Sequence, residues 1–178
     1  MLTTLAIFIG SILGLLLISA FFSGSETALT AVSKARIRHL SDEGNKKAEV
    51  VETLIAQQDT LISTLLLGNN LVNILASALT TSFFISIFGD VGVIIATIIM
   101  TSLVVIFAEI LPKVLALKYS DRWALKAALF IKITVKILGP IANLAQKASS
   151  YFVKDNNNSE KLVDAHDELR GQISIHHQ

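Results

Sequence analysis

Cysteine is absent from this 178-residue chain, so disulfides, thiolate metal sites and thiol chemistry are excluded, although that absence does not place the protein in a compartment. Charge is scarce: 16% of residues are Asp, Glu, Lys or Arg, and a net charge of +1 gives no footing for nucleic acid as a partner. No Lys or Arg precedes the first apolar run and no clear small-x-small site follows it, so that run does not read as a signal peptide. A helical HExxH, a Gly-x-Ser-x-Gly, a P-loop and a dinucleotide fingerprint are all missing. No catalytic constellation is visible, and the expectation is a protein that is not an enzyme. Proline occurs only at 112 and 140. Pro112 is expected to interrupt a helix, and Gly139-Pro140 to kink or divide one.

What is abundant is apolar sequence, 52% of the chain with a mean hydropathy of +0.63. That is too apolar for a soluble domain of this size. Three runs are long enough to cross a bilayer, at about 5–22, 61–88 and 91–111. The second exceeds the usual span and is expected to tilt or project. Lys34, Arg36, Arg38, Lys46 and Lys47 lie between the first two runs, and Lys113, Lys118, Arg122, Lys126, Lys132 and Lys136 follow the third. The Gly89-Asp90 link carries no basic residue. The excess of positive charge on cytoplasmic loops then puts the N-terminus outside and the C-terminus in the cytoplasm.

The region 122–152 looks like a fourth run, yet Arg122, Lys126, Lys132, Lys136 and Lys147 fall within an arc of about 120° on a helical projection. This predicts an amphipathic helix in the interface, its basic residues toward anionic headgroups of the membrane lipids. Residues 27–57 predict a hairpin of short helices turning at Gly44-Asn45. The expected fold is therefore an all-α membrane protein: three transmembrane helices, a cytoplasmic-side helical hairpin and a juxtamembrane belt helix. Residues 1–153 form its transmembrane domain. Residues 154–178 read as a polar linker and a short helix over 160–170, and the terminal His176 and His177 as tail.

Three places in the spans carry chemistry. Glu109-Ile110-Leu111-Pro112-Lys113 puts a carboxylate at membrane depth, which costs roughly 2.5–3.5 kcal/mol and marks a functional site by default. Pro112 frees the carbonyl of Ala108, and carboxylate and carbonyl are both ligands for a hard cation. A Glu109–Lys113 pair snorkelling to the interface explains the same residues. Asn69, Asn70 and Asn73 lie within an arc of about 100° on the second span, joined by Ser77 and Thr80. Such a stripe either bonds helices together or lines a cation path. Ser23-Gly24-Ser25-Glu26-Thr27 interrupts the end of the first span, either as a broken helix at membrane depth or as a plain helix end.

Ser23-Gly24-Ser25-Glu26-Thr27-Ala28-Leu29, then Gly68-Asn69-Asn70-x-x-Asn73, then Glu109-x-x-Pro112-Lys113 occur here in that order. The set resembles the transmembrane domain of the CorC/CNNM (cyclin M) family of magnesium transporters. Asp167-Glu168-Leu169-Arg170 onward resembles the lead into that family's cytosolic CBS-domain pair. The resemblance implies a homodimer holding Mg²⁺ in an inward-facing cavity and exporting it, with Na⁺ as the candidate counter-ion. It implies Ser23 and Ser25, Asn70 and Asn73, and Glu109 as metal ligands, with Asn69 behind them. Gly24 and Pro112 are the helix breaks where gating is expected. ATP acts in the family through the CBS domains, before which this chain stops, so nucleotide control is not expected of it. A membrane Mg²⁺ sensor that regulates another transporter, and a structural membrane anchor, are the competing expectations.

Overall fold

The computed structural model describes the backbone of residues 2–175 and the side chains of residue 3 and residues 5–148. His176 and His177 lie outside the described residues. Among those residues there are helices and no strand. Two units divide at Pro140: Met1–Pro140 and Ile141–Gln178. The first holds seven helical segments, α1 (Leu2–Ala31), α2 (Lys34–Asp42), α3 (Lys46–Ala56), α4 (Gln58–Phe88), α5 (Val91–Leu103), a π-helical segment (Val104–Ile110) and α6 (Leu111–Lys118), and the start of α7 (Ser120–Ile175). The second is the distal part of α7. The segment expected as a linker and a separate short helix is carried within α7.

Four helical stretches are long and apolar enough to cross a membrane, where three were expected. They are Leu5–Ala31, Gln58–Phe88, Val91–Lys118 and Ser120–Ala148, with mean hydropathies of 2.6, 1.9, 2.7 and 1.5. The last is the least apolar because it carries the basic residues singled out above. Large apolar side chains such as Ile7, Leu17, Ile74, Ile98 and Ile137 face outward on all four stretches. A water-soluble fold does not display such a belt, and lipid removes its cost.

Three corrections concern expected helix breaks. Gly24 does not break α1, which runs unbroken to Ala31. A Cβ at Gly24 would lie 2.5 Å from Trp123 Cζ2, so this glycine serves a close approach by α7. Thr27 and Thr30 return their hydroxyls to the carbonyls of Ser23 and Glu26, which keeps the helix polar without opening it. Pro112 does not end the third apolar stretch either, because it sits in the first turn of α6, where a missing N–H is tolerated. The π-helical segment before it absorbs the mismatch: the Leu111 N–H reaches back to the Ile106 carbonyl, five residues away. Gly139-Pro140 does not divide α7.

The hairpin turn forms as expected, with Gly44 at φ +85° and the Asn45 side chain capping α3 through the N–H groups of Lys47 and Ala48, but its first helix begins at Lys34 rather than at residue 27, because residues 27–31 continue α1. Its buried residues, Ile37, Ala48 and Val51, join Leu29, Leu65 and Ile131 in one core at the end of the bundle where α1 finishes and α4 begins. A second core, around Ile12, Leu16, Ala76 and Met100, fills the opposite half. Asp121 ties the hairpin to α7, accepting from the Ser33 N–H at 3.3 Å and from Arg36 Nη1 at 2.9 Å. The Arg36 side chain is 69% exposed, so water screens the pair. Asp121→Ala is expected to lower stability by no more than about 1 kcal/mol, read as a small shift of the thermal midpoint in detergent.

Candidate cation site

The site begins with helical spacing on α1. Ser19, Ser23 and Glu26 stand at i, i+4 and i+7, a spacing that puts them on one face about 10 Å long. On α4, Asn69 and Asn73 stand at i and i+4. These faces meet: Ser19 Oγ lies 2.7 Å from Asn69 Oδ1 and 2.7 Å from Asn73 Oδ1. One hydroxyl donates a single hydrogen, so one of the two contacts sets lone pair against lone pair. That contact is favourable when one amide turns its NH₂ toward Ser19, or when a cation bridges the oxygens.

One turn further, Ser23 is fully buried and its hydroxyl has no hydrogen-bond partner. An unsatisfied buried hydroxyl costs about 1–3 kcal/mol. At the far end of the same face, half-buried Glu26 lies within electrostatic reach of Glu109 and Lys113. Glu109 belongs to the π-helical segment and Lys113 to α6. Pro112 offers no N–H to the carbonyls four and five residues back, Ala108 and Phe107, which adds acceptor capacity beside Glu109. When ionised, two carboxylates and one ammonium leave the cluster with a net negative charge. The ensemble is therefore a row of oxygens, neutral at the Ser19 end and anionic at the Glu26 end, suited to a hard cation. No group of three or more His, Cys, Asp or Glu side chains placed to hold a metal occurs among the described residues.

Ser23, Asn73 and Glu109, expected from sequence, all belong to elements that line this face of α1. Ser25 and Asn70 are not brought to it. Ser25 lies two residues from Ser23, about 200° around the helix, and its hydroxyl accepts from Trp123 Nε1 at 3.2 Å. Asn70 is exposed on α4, one residue off the Ser19 contact. Asn69 is 6% exposed and bonds Ser19, so the neighbouring amide takes the inward place. Sequence reasoning did not assign Ser19, Glu26 or Lys113 to the site. The signal that marks the first two is the i, i+4, i+7 spacing with Ser23.

Comparison with known proteins agrees with these motifs. The UPF0053 protein of Haemophilus influenzae is 38% identical over 162 residues, 89% of this chain and 39% of that protein. The UPF0053 inner membrane protein YfjD of Escherichia coli is 46% identical over 121 residues, 68% of this chain and 28% of that protein. A chloroplastic DUF21 domain-containing protein of Arabidopsis thaliana, At1g55930, is 38% identical over 108 residues, 60% of this chain and 16% of that protein. The chain thus spans well under half the length of these relatives. A family model described as the cyclin M transmembrane N-terminal domain matches residues 10–178. With outward-facing apolar helices, the ordered Ser-Gly-Ser-Glu, Gly-Asn-Asn and Glu-x-x-Pro-Lys elements, and a match over nearly its whole length, the chain is a multi-pass membrane domain of the CorC/CNNM (cyclin M) family.

Proposed function

We propose that this domain moves Mg²⁺ across a cell membrane, holding it as cargo on the polar face of α1. The observation that carries this reading is Ser23. Its hydroxyl is buried without a partner, between a cluster of neutral oxygens and a pair of carboxylates. Mg²⁺ takes about six oxygens and surrenders water reluctantly. Hydroxyl and amide oxygens with few carboxylates bind it without trapping it, as passage requires. Export with Na⁺ as counter-ion, work as a homodimer and residence in an inner membrane, the location in the Escherichia coli relative's name, complete the proposal.

Three spans and a belt are the arrangement that best fits the contacts of α7. Trp123 touches Gly24 and Ser25, Phe130 meets Phe21, and Gly139 faces Thr60 and Thr64. Gly68 packs on Phe22, which sets the level of α4 against α1. From Trp123 to Gly139 a helix advances about 24 Å, yet Thr60 and Thr64 lie about 6–12 Å short of Gly68, at the same end as Ser25. A spanning helix would climb the bundle. This one crosses it, which supports the interfacial reading with the hairpin on the cytoplasmic side.

Ser23→Ala separates transport from structure. Removing an unsatisfied hydroxyl is expected to leave the thermal midpoint in Mg²⁺-free buffer unchanged or slightly raised. Mg²⁺ flux in proteoliposomes is expected to fall by about tenfold or more, the equivalent of one neutral ligand. Full flux in that variant would remove Ser23 from the path. Binding of Mg²⁺ without flux by the unaltered chain would make the domain a sensor instead.

A further inference from the structure

Two adjoining recesses open beside Tyr119 and Arg122, at the start of α7 on the hairpin side of the bundle. One, of about 460 Å³, is walled by Phe21, Trp123 and Ala127, with Lys126 at its edge. The other, of about 290 Å³, is bordered by Arg36, Lys118 and Arg122, with Asp121 as its carboxylate. Asp121 is engaged by Arg36 at 2.9 Å, so Lys118, Arg122 and Lys126 set the sign of the pair. Lys118 is held over the Tyr119 ring, 5.4 Å from its centre. Apolar wall and cationic mouth share Tyr119 and Arg122, so they form one amphiphilic surface. It lies where the third apolar stretch ends, at Lys118, and where α7 begins.

We infer that this surface is a discrete binding site for an anionic phospholipid of the leaflet on the hairpin side. Lys118 and Arg122 take the phosphate, and one acyl chain lies along Phe21, Trp123 and Ala127. Guanidinium and ammonium groups are the usual phosphate partners, and the mainly apolar lining of the larger recess suits a hydrocarbon chain rather than a free ion. The inference goes beyond a general attraction of basic residues to headgroups, because it confines the preference to Lys118 and Arg122. Lys132 and Lys136, further along α7, are not part of it.

Trp123 is the only tryptophan in the chain, so its fluorescence reports this recess alone. The purified chain is reconstituted in dioleoyl-phosphatidylcholine vesicles containing increasing fractions of phosphatidylglycerol or phosphatidylcholine with brominated acyl chains. Brominated phosphatidylglycerol is expected to quench Trp123 at a lower mole fraction, by about fivefold for each cation that holds the phosphate. Lys118→Gln with Arg122→Gln is expected to abolish the preference, and Lys132→Gln with Lys136→Gln to keep it. Inorganic phosphate is expected not to relieve the quenching. Equal quenching by the two lipids in the unaltered chain overturns the site, whatever the variants do. Loss of preference in the Lys132/Lys136 variant as complete as in the Lys118/Arg122 variant replaces it with a diffuse basic surface. Relief by inorganic phosphate makes it a site for the free anion.

Discussion

Glu109→Ala is expected to reduce Mg²⁺ flux in proteoliposomes to that of protein-free vesicles while leaving the fold in place. Glu109 is half-buried in the π-helical segment, with Glu26 and Lys113 in electrostatic reach of one another around it. Its loss leaves one carboxylate against one ammonium, so the cluster loses the net negative charge expected to draw a divalent ion. At an effective dielectric constant near 20, a carboxylate about 5 Å from a divalent cation contributes roughly 6–7 kcal/mol before desolvation is subtracted. Even a third of that is more than tenfold in affinity. Glu109→Gln keeps an oxygen and removes the charge, so it is expected to fail nearly as completely. Retained flux in the glutamine variant would assign the role to the oxygen, and retained flux in the alanine variant would take Glu109 out of the mechanism. Ser19 hydrogen-bonds α4 far from this change, so helical content and thermal midpoint should stay close to those of the unaltered chain.

The second large effect is structural. Gly24→Val is expected to destabilise the domain by about 2–3 kcal/mol, because the new side chain must displace an indole already 2.5 Å from where its Cβ would sit. The cost should depend on Trp123. Trp123→Ala alone removes the ring's packing and its hydrogen bond to Ser25, and destabilises as well. Together the two substitutions should cost less than their sum by about 1 kcal/mol or more, since the valine then fills the space the ring vacates. The fraction of monodisperse protein surviving heating gives all three values. Strict additivity would show that the two residues do not meet.

The long apolar helices, the hairpin turn and the polar stripes were legible because each rests on periodicity and on turn chemistry within a few residues. Gly44-Asn45 is such a case, and its turn and cap form as the dipeptide suggests. Gly24 was misread because the same residue type serves a break and a close approach, and only the distant Trp123 decides between them. The asparagines show a second limit. Asn69, Asn70 and Asn73 share one broad arc, and the wheel cannot tell which pair the neighbouring helix accepts. Packing against Ser19 selects the i, i+4 pair and leaves Asn70 outside. The basic character of α7 was plain, whereas its hydropathy alone also admits a fourth span. The proposed belt reading rests on where Trp123, Phe130 and Gly139 touch the bundle, which is tertiary information absent from the wheel.

The π-helical segment also resets the phase of the third apolar stretch. Its buried positions are Gly92, Ala96 and Met100, then Ala108, Pro112 and Ala116, a rhythm of four or twice four throughout. An ordinary helix turns about 400° in four residues, so such a rhythm would drift by about 40° at each step and wind the small residues round to the lipid. One wide turn between Val104 and Ile110 takes up part of that winding and returns Ala108 and Pro112 toward α1. The small side chains and the acidic one beside them thus stay in step with a neighbour over a length where an undisturbed coil would carry them past it.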